Sequence, residues 1–396
     1  MTAHQRIDLE TLRVAPPKVG WPIELVMVAA VATYLHAICW RTVPPDMTLF
    51  LFPWYDHILE NGRVAAFGQP FSNYTPAYLY MLSAASLADP LLSPLHVIKL
   101  LSLAGTGFLA LAVANLLMAL GAEGKRAVWV CALPSVILNA ALLGQCDALW
   151  AGACILAVAA IIRGRTIACL VWCGVAIAFK AQAVFLAPFI MGALIGRKAP
   201  FWQWAIPPGV YALLMLPAWL AGWPAGDLAT VYLRQAEWFS APGNLANPWV
   251  WASSFGWNGA PSWYWAGYAA AAGAALAVGA ASATAVRRPT TMIILATLSS
   301  FAIPFLLPKM HERYFFLADV LALTLVLAWP NRRNLAIAIG VQLASLSALL
   351  SYIYNWSPLV LAGSIIASAT LVLAYSVVSP SHSSSWWRRS ASSLVA

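Results

Sequence analysis

Four ionisable residues stand within five positions in Leu307-Pro308-Lys309-Met310-His311-Glu312-Arg313-Tyr314-Phe315-Phe316, between two apolar runs. Lys309 and Arg313 are four apart. With His311 they offer donors to a phosphate, Arg313 through the fork of its guanidinium. The plainer reading is an ion-paired turn that holds two helices together. A second group lies far off in the chain, at Asp46, Asp56, His57 and Glu60. Asp46 follows Pro44-Pro45 at the exit of the first apolar run, where a carboxylate could serve as general base. Its competing reading is a helix N-cap or a solvated loop residue. Asp56 and Glu60, four apart, share one helical face, catalytic or simply wet. A third group, Gly144-Gln145-Cys146-Asp147, puts an amide and a carboxylate at the start of an apolar run, where Asp147 also suits an N-cap. The fourth is Lys180 with Gln182. A lone lysine among apolar residues needs a carboxylate or a phosphate.

The elements that must position these groups are set by composition. Of 396 residues, 22 are Lys or Arg and 13 Asp or Glu, 9% charged in all, against 62% hydrophobic. Soluble domains are about 25% charged, so a soluble enzyme, a disordered chain and a disulfide scaffold are excluded. The expectation is an all-α polytopic membrane protein, because backbone groups in lipid must be satisfied within their own segment. Apolar runs recur at 21–43, 95–120, 127–144, 147–162, 166–180, 182–196, 201–221, 262–286, 291–307, 317–330, 335–354 and 357–378, which predicts twelve transmembrane helices. A single transmembrane domain, 1–378, would then carry a disordered cytoplasmic tail, 379–396. The polar first 20 residues and the missing cleavage site argue that the first run stays as a span.

Basic residues test this count. With the N-terminus in the cytoplasm, every second loop is basic: Lys125-Arg126, Arg163 with Arg165, Arg197-Lys198, Arg287-Arg288 and Arg332-Arg333. With Arg6, Arg13, Lys18, Arg388 and Arg389 these make 15 of the 22 basic residues. A thirteenth span over 77–93 would break the alternation, so 76–93 reads as a helix at or dipping into the outer interface. The net charge of +9 is therefore mainly a topology signal. No contiguous basic stripe suggests nucleic acid. The opposite, extracytoplasmic face collects a long first loop, 44–94, a Trp- and Asn-rich loop, 222–261, and the 308–316 turn. All four reactive groups fall on that face.

Ten of the twenty tryptophans lie between Trp202 and Trp265, which suits an interfacial belt or the stacking of a sugar ring or prenyl chain. Arg234 and Glu237 share that loop. The six cysteines sit in or beside apolar runs with no ligand spacing, as small buried hydrophobes do. There is no P-loop, no H-E-x-x-H and no dinucleotide fingerprint. With no soluble domain to bind a nucleotide sugar, a donor should arrive from the lipid phase.

The arrangement resembles the GT-C superfamily of integral membrane glycosyltransferases. The resemblance rests on Asp46 early in the first outer loop, on Phe71-Ser72-Asn73-Tyr74-Thr75-Pro76-Ala77-Tyr78-Leu79-Tyr80, on ionisable outer turns, and on His311-Glu312-Arg313-Tyr314-Phe315-Phe316. The last is similar to the His-Glu motif of dolichyl-phosphate-glucose and -mannose users and their bacterial relatives. The resemblance implies a long first outer loop with interfacial helices and an inverting transfer of a hexose, glucose or mannose, from a polyprenyl-phosphate donor. The acceptor would be a glycan or lipid-linked molecule outside a bacterial inner membrane. It implies Asp46 as base, with Asp56 as the alternative, and Lys309, His311 and Arg313 at the donor phosphate. Substrate contacts would come from Glu312, Asp147, Gln145, Lys180, Tyr74, Tyr78 and Arg234. Some members use a divalent cation, Mg or Mn, for which the sequence shows no convincing cage. Two rival expectations are a transporter or flippase of a lipid-linked sugar, and a ligase or polymerase with a diphosphate donor.

Overall fold

A computed structural model describes residues 21–238, 243–256 and 261–378. The N-terminal basic residues and the 379–396 tail lie outside these, as does the side chain of Glu237. All the regular elements named here are helical. In chain order they are α1 (Trp21–Cys39), α2 (Phe52–Asn61), α3 (Pro76–Ala85), α4 (Pro94–Ala119), α5 (Pro134–Ile137), α6 (Asp147–Ile162), α7 (Thr166–Phe179) and α8 (Ala187–Gly196). There follow α9 (Ile206–Ala221), α10 (Ala225–Trp238), α11 (Trp249–Ser254), α12 (Pro261–Ala285), α13 (Pro289–Leu306), α14 (Phe316–Ala328), α15 (Arg332–Tyr354) and α16 (Ser357–Val378). Short 3-10 or π segments extend several of them.

Each expected apolar run folds as helix, but the runs differ in length. Among the described residues, six segments are long and apolar enough to cross a membrane: α4, Phe201–Ala221, Trp263–Ala285, α13, α15 and α16. Gly124–Ala132 and Pro134–Leu142, bent by 62° at their junction, make a seventh if taken as one span. The segments Ile23–Cys39, Asp147–Ile162, Thr166–Phe179, Ala181–Gly196 and Phe316–Ala328 are apolar but shorter. At 1.5 Å per residue, the 16 residues of α6 reach about 24 Å, less than a hydrocarbon core of about 30 Å. By length and composition alone, six or seven of the described segments reach that span, and the shorter apolar helices do not.

The short helices are the inner ones. Alpha6 is apolar all round and buried along nearly its whole length, as a central helix must be. It packs with α4, α7, α13 and α14 into the larger core. Alpha8 lies so close to α12 that a Cβ on Gly192 would run into the Gly279 carbonyl. The 44–94 loop builds a smaller core of its own. Alpha2 and α3 place Trp54, Tyr55, Ile58, Tyr78, Leu79 and Leu82 together, closed by Trp223 beyond α9. The 76–93 segment is a ten-residue helix, α3, followed by a 3-10 turn, Ser86–Ala88. It is too short to span a membrane.

The two ends of the bundle differ in chemistry. At one end, basic side chains bond the carbonyls that finish neighbouring helices. Arg126 donates to Leu327 O at 2.9 Å, Arg163 to Asn115 O at 2.8 Å, and Arg197 to Ile162 O at 3.0 Å. Arg197 also reaches Val286 O at 3.2 Å. The other end carries the first-loop helices and the polar groups described next. There the buried Lys99 donates to Cys39 O at the end of α1, which fixes where the chain leaves that helix for Asp46.

Candidate active site

Asp46 stands between Pro45 and the π-helical turn Met47–Leu51. It is the residue before that turn, yet its side chain makes no cap. Its carboxylate turns inward. Oδ1 accepts from the Tyr352 hydroxyl at 2.7 Å, and Oδ2 accepts from Gln145 Nε2 at 3.1 Å. Arg313 pairs with Oδ2 at 3.0 Å and, through Nε, with Glu312 Oε1 at 3.0 Å. The Gln145 amide is itself oriented, because its Oε1 accepts from the Tyr74 hydroxyl at 3.3 Å. Burial pushes the Tyr74 phenol up to about 12, so it remains a donor at neutral pH.

Gln145 reaches this place because Gly144 adopts φ +64° and turns the chain from the π-helical stretch Leu138–Leu142 into α6. A side chain at 144 would also press on Met47. Asp147 opens α6 without capping it. Its carboxylate accepts from Asn139 Nδ2 at 2.6 Å and Trp150 Nε1 at 2.9 Å, and pairs with Lys180 at 2.5 Å. Lys180 follows α7 in extended conformation. Its Nζ lies 5.1 Å from the centre of the Tyr74 ring, a cation–π contact that ties this pair to the Tyr74–Gln145–Asp46 relay.

These side chains surround a cavity of about 300 Å³. Asp46, Gln145, Lys180, His311, Arg313 and Tyr352 all line it, with Tyr74, Glu312 and Gln182 among the others. Gln182 Oε1 is buried without a hydrogen-bond partner. Burial lowers the affinity of His311 for a proton, so at neutral pH it offers a neutral imidazole. Its Nδ1 is 3.9 Å from Glu312 Oε2, and its ring meets Tyr314 edge-on at 5.5 Å. The cavity can thus offer guanidinium, ammonium and imidazole donors to an anion, and one carboxylate to a hydroxyl.

Several candidates stand elsewhere. Lys309 has φ +61° in a non-helical turn after Pro308, so four-residue spacing does not align it with Arg313. Its Nζ lies 5.9 Å from the Tyr264 ring, and it is not among the residues lining the cavity. Asp56 and Glu60 are exposed on α2, and Asp56 does not line the cavity. Tyr78 is buried beside Tyr74 in the first-loop core. Arg234, paired with Asp227 at 2.8 Å, lines an adjoining chamber instead. Tyr352 and Asn139 are polar groups of the site that spacing did not reveal, whereas Gln182 was already grouped with Lys180. Those two stand in apolar runs with no ionisable neighbour to draw notice. Among the described residues no group of three or more His, Cys, Asp or Glu is placed to hold a metal ion.

Comparison with known proteins adds two findings. Residues 62–196 match the family model for the N-terminal domain of alpha-(1->6)-mannopyranosyltransferases. The structure of ArnT from Cupriavidus metallidurans bound to undecaprenyl phosphate superposes with a TM-score of 0.50 at 14% identity, over 89% of this chain and 76% of that one. The chain has a GT-C fold. The apo structure of the same ArnT gives a TM-score of 0.49 at the same identity and coverage. No curated protein sequence matches the chain. Within this GT-C fold the matched segment contains Tyr74, Gln145, Asp147, Lys180 and Gln182, while Asp46 and the 309–313 turn lie outside it. The apolar helices and the fold together make this an integral membrane protein.

Proposed function

We propose that the protein is an inverting glycosyltransferase that moves a hexose from a polyprenyl monophosphate to a hydroxyl of a glycan or lipid-linked acceptor. The observation that carries the reading is the cavity in which Asp46 meets Arg313 within the GT-C fold. Mannose is favoured over glucose by the family description that residues 62–196 match. The basic end of the bundle would face the cytoplasm and the cavity the outside of a bacterial inner membrane.

Asp46 takes the proton of the acceptor hydroxyl. The hydroxyl oxygen bonds to C1 of the sugar as the bond from C1 to the phosphate oxygen breaks, and polyprenyl phosphate departs as the anion. Arg313 and Lys180 meet the charge that grows on that leaving group, and neutral His311 adds a hydrogen bond. Asp46 is engaged by Tyr352, Gln145 and Arg313. A donor phosphate competes with Asp46 for Arg313, and this exchange releases the carboxylate to act as base. Donor binding before acceptor follows from that competition. The protein's own donors and one base suffice to describe these steps, because the donor arrives activated.

Purified protein in lipid nanodiscs, given radiolabelled mannosyl- or glucosyl-polyprenyl monophosphate and membrane glycolipid acceptors, should form a glycosidic product of inverted configuration. Use of a diphosphate donor alone, or translocation of a lipid-linked sugar without product, would contradict this reading.

A further inference from the structure

Three loops meet at the basic end of the bundle. Arg197, just after α8, donates to Ile162 O at 3.0 Å and to Val286 O at 3.2 Å, which ties the α6–α7 and α12–α13 loops to its own. Each loop carries two basic residues: Arg163 and Arg165, Arg197 and Lys198, Arg287 and Arg288. All but Arg197 are exposed. The sequence has no Asp or Glu from 148 to 226 or from 238 to 311, the stretches that supply these loops. Among the described residues none of the six enters an ion pair with a carboxylate. Lys125 and Arg126, also in a basic loop, differ, since both face Glu123 at 3.6 Å.

Topology alone asks for basic loops. It does not ask that three of them converge on one guanidinium, nor that an apolar crevice open beside them. Alpha8 packs on α12, and α9 packs on α7. Between α8 and α9 lies a crevice of about 170 Å³. Cys173 and Ile177 of α7, Met191 and Leu194 of α8, and Trp204 and Pro207 are among its lining residues, none of which is charged. Met191 is exposed, and Cys173, Ile177, Trp204 and Pro207 are half-buried, so the crevice opens outward. Leu194 lies about one turn before Arg197, which carries the apolar wall up to the basic loops. Phe201 and Trp202 are exposed just beyond Lys198, as aromatic residues are at headgroup level. The crevice shares no lining residue with the catalytic cavity.

We propose that this end of the bundle is a binding site for an anionic phospholipid. The phosphate rests among Arg165, Lys198, Arg287 and Arg288, whose loops Arg197 holds together. One acyl chain lies in the crevice between α8 and α9. An acidic protein would match the charge but leave the crevice unfilled, and α9 and α12 beside it present most of their length outward, as lipid-facing helices do. A polyprenyl phosphate would suit the crevice, but in the reaction above its phosphate is held at Lys180. Lys180 stands at the other end of the 14-residue α7 from Arg165, about 21 Å away.

The test titrates lipid-stripped, full-length protein in detergent with phosphatidylglycerol and with phosphatidylcholine of identical chains, read by native mass spectrometry. Lys198→Gln with Arg287→Gln removes charge from two exposed side chains, so folding is not at stake. Cys173→Phe fills the crevice. The wild type should bind one phosphatidylglycerol at least about tenfold more tightly than phosphatidylcholine. The charge variant should lose most of that preference, and the crevice variant should weaken both lipids. Neither touches the catalytic cavity, so donor KM should stay at the wild-type value in both. Equal binding of the two lipids by the wild type, or full preference kept by the charge variant, would refute the headgroup site. Wild-type affinity in the crevice variant would refute the chain site. Displacement of phosphatidylglycerol by an equal amount of polyprenyl monophosphate would give the crevice to the donor and sink the proposal.

Discussion

Asp46 and Arg313 are separated by most of the chain and meet at 3.0 Å. Arg313 holds two carboxylates at once, Asp46 and Glu312, which uses the planar fork that lysine lacks. Arg313→Lys keeps the charge and loses the fork. Charge-assisted hydrogen bonds contribute about 1.5–3 kcal/mol each, so donor KM should rise at least about tenfold while protein yield stays near normal. Steady-state kinetics with the monophosphate donor would show this, and an unchanged donor KM would place the phosphate elsewhere. At this scale the sequence was informative where ionisable residues cluster. His311, Glu312 and Arg313 were visible as an anomaly in a charge-poor chain, and all three line the cavity. Lys309 was grouped with them by spacing, but the chain there is not helical, and a positive φ turns the lysine toward Tyr264. Spacing alone also left Asp46 and Asp56 level. In the structure Asp46 lines the cavity with three partners, and Asp56 is exposed on α2.

The elements that matter most are short and broken. Alpha6 begins late because Gly144 turns the chain, and that turn aims Gln145 at Asp46 and Asp147 at Lys180. Breaking a buried ion pair by removing one partner costs about 3–5 kcal/mol. Lys180→Met should therefore lower the thermal unfolding temperature strongly, because Asp147 would keep a buried charge. Adding Asp147→Asn removes that charge and leaves an oxygen for the Trp150 N–H, so the double variant should regain much of the lost stability. It should still transfer poorly, since the cavity has lost its ammonium. Unfolding curves of wild type, single and double variant in detergent decide the matter, and a double variant no more stable than the single would refute the pairing argument. The positions and unequal lengths of the apolar runs were legible from hydropathy. Which of them lie inside the bundle was not, because a buried inner helix and a lipid-facing one are equally apolar.

For the whole molecule, the scarcity of charge already required helices in a membrane. The pairs of basic residues marked alternate loops, and in the structure Arg126, Arg163 and Arg197 stitch together helix ends away from the cavity. What composition could not show was which of the scattered polar groups converge. Tyr352 contributes a hydroxyl from the end of α15, three hundred positions from its partner Asp46, with no motif to announce it. The proposed orientation can be checked by cysteine labelling. Arg165→Cys and Arg288→Cys should react with a membrane-impermeant maleimide only from the cytoplasmic side, and Glu60→Cys and Leu233→Cys only from outside. Labelling of both sets from one side would overturn the topology.

The central claim is that one carboxylate, Asp46, takes the acceptor proton. Single-turnover transfer from a pre-bound polyprenyl-phosphate sugar, compared between the wild type and Asp46→Asn, tests it most directly. Asparagine keeps the shape and most of the hydrogen bonding, so the fold and donor binding should persist. The rate of glycosidic bond formation should fall by about two to four orders of magnitude, the range of general-base catalysis. An Asp46→Asn variant that binds donor and transfers sugar at the wild-type rate would contradict the account.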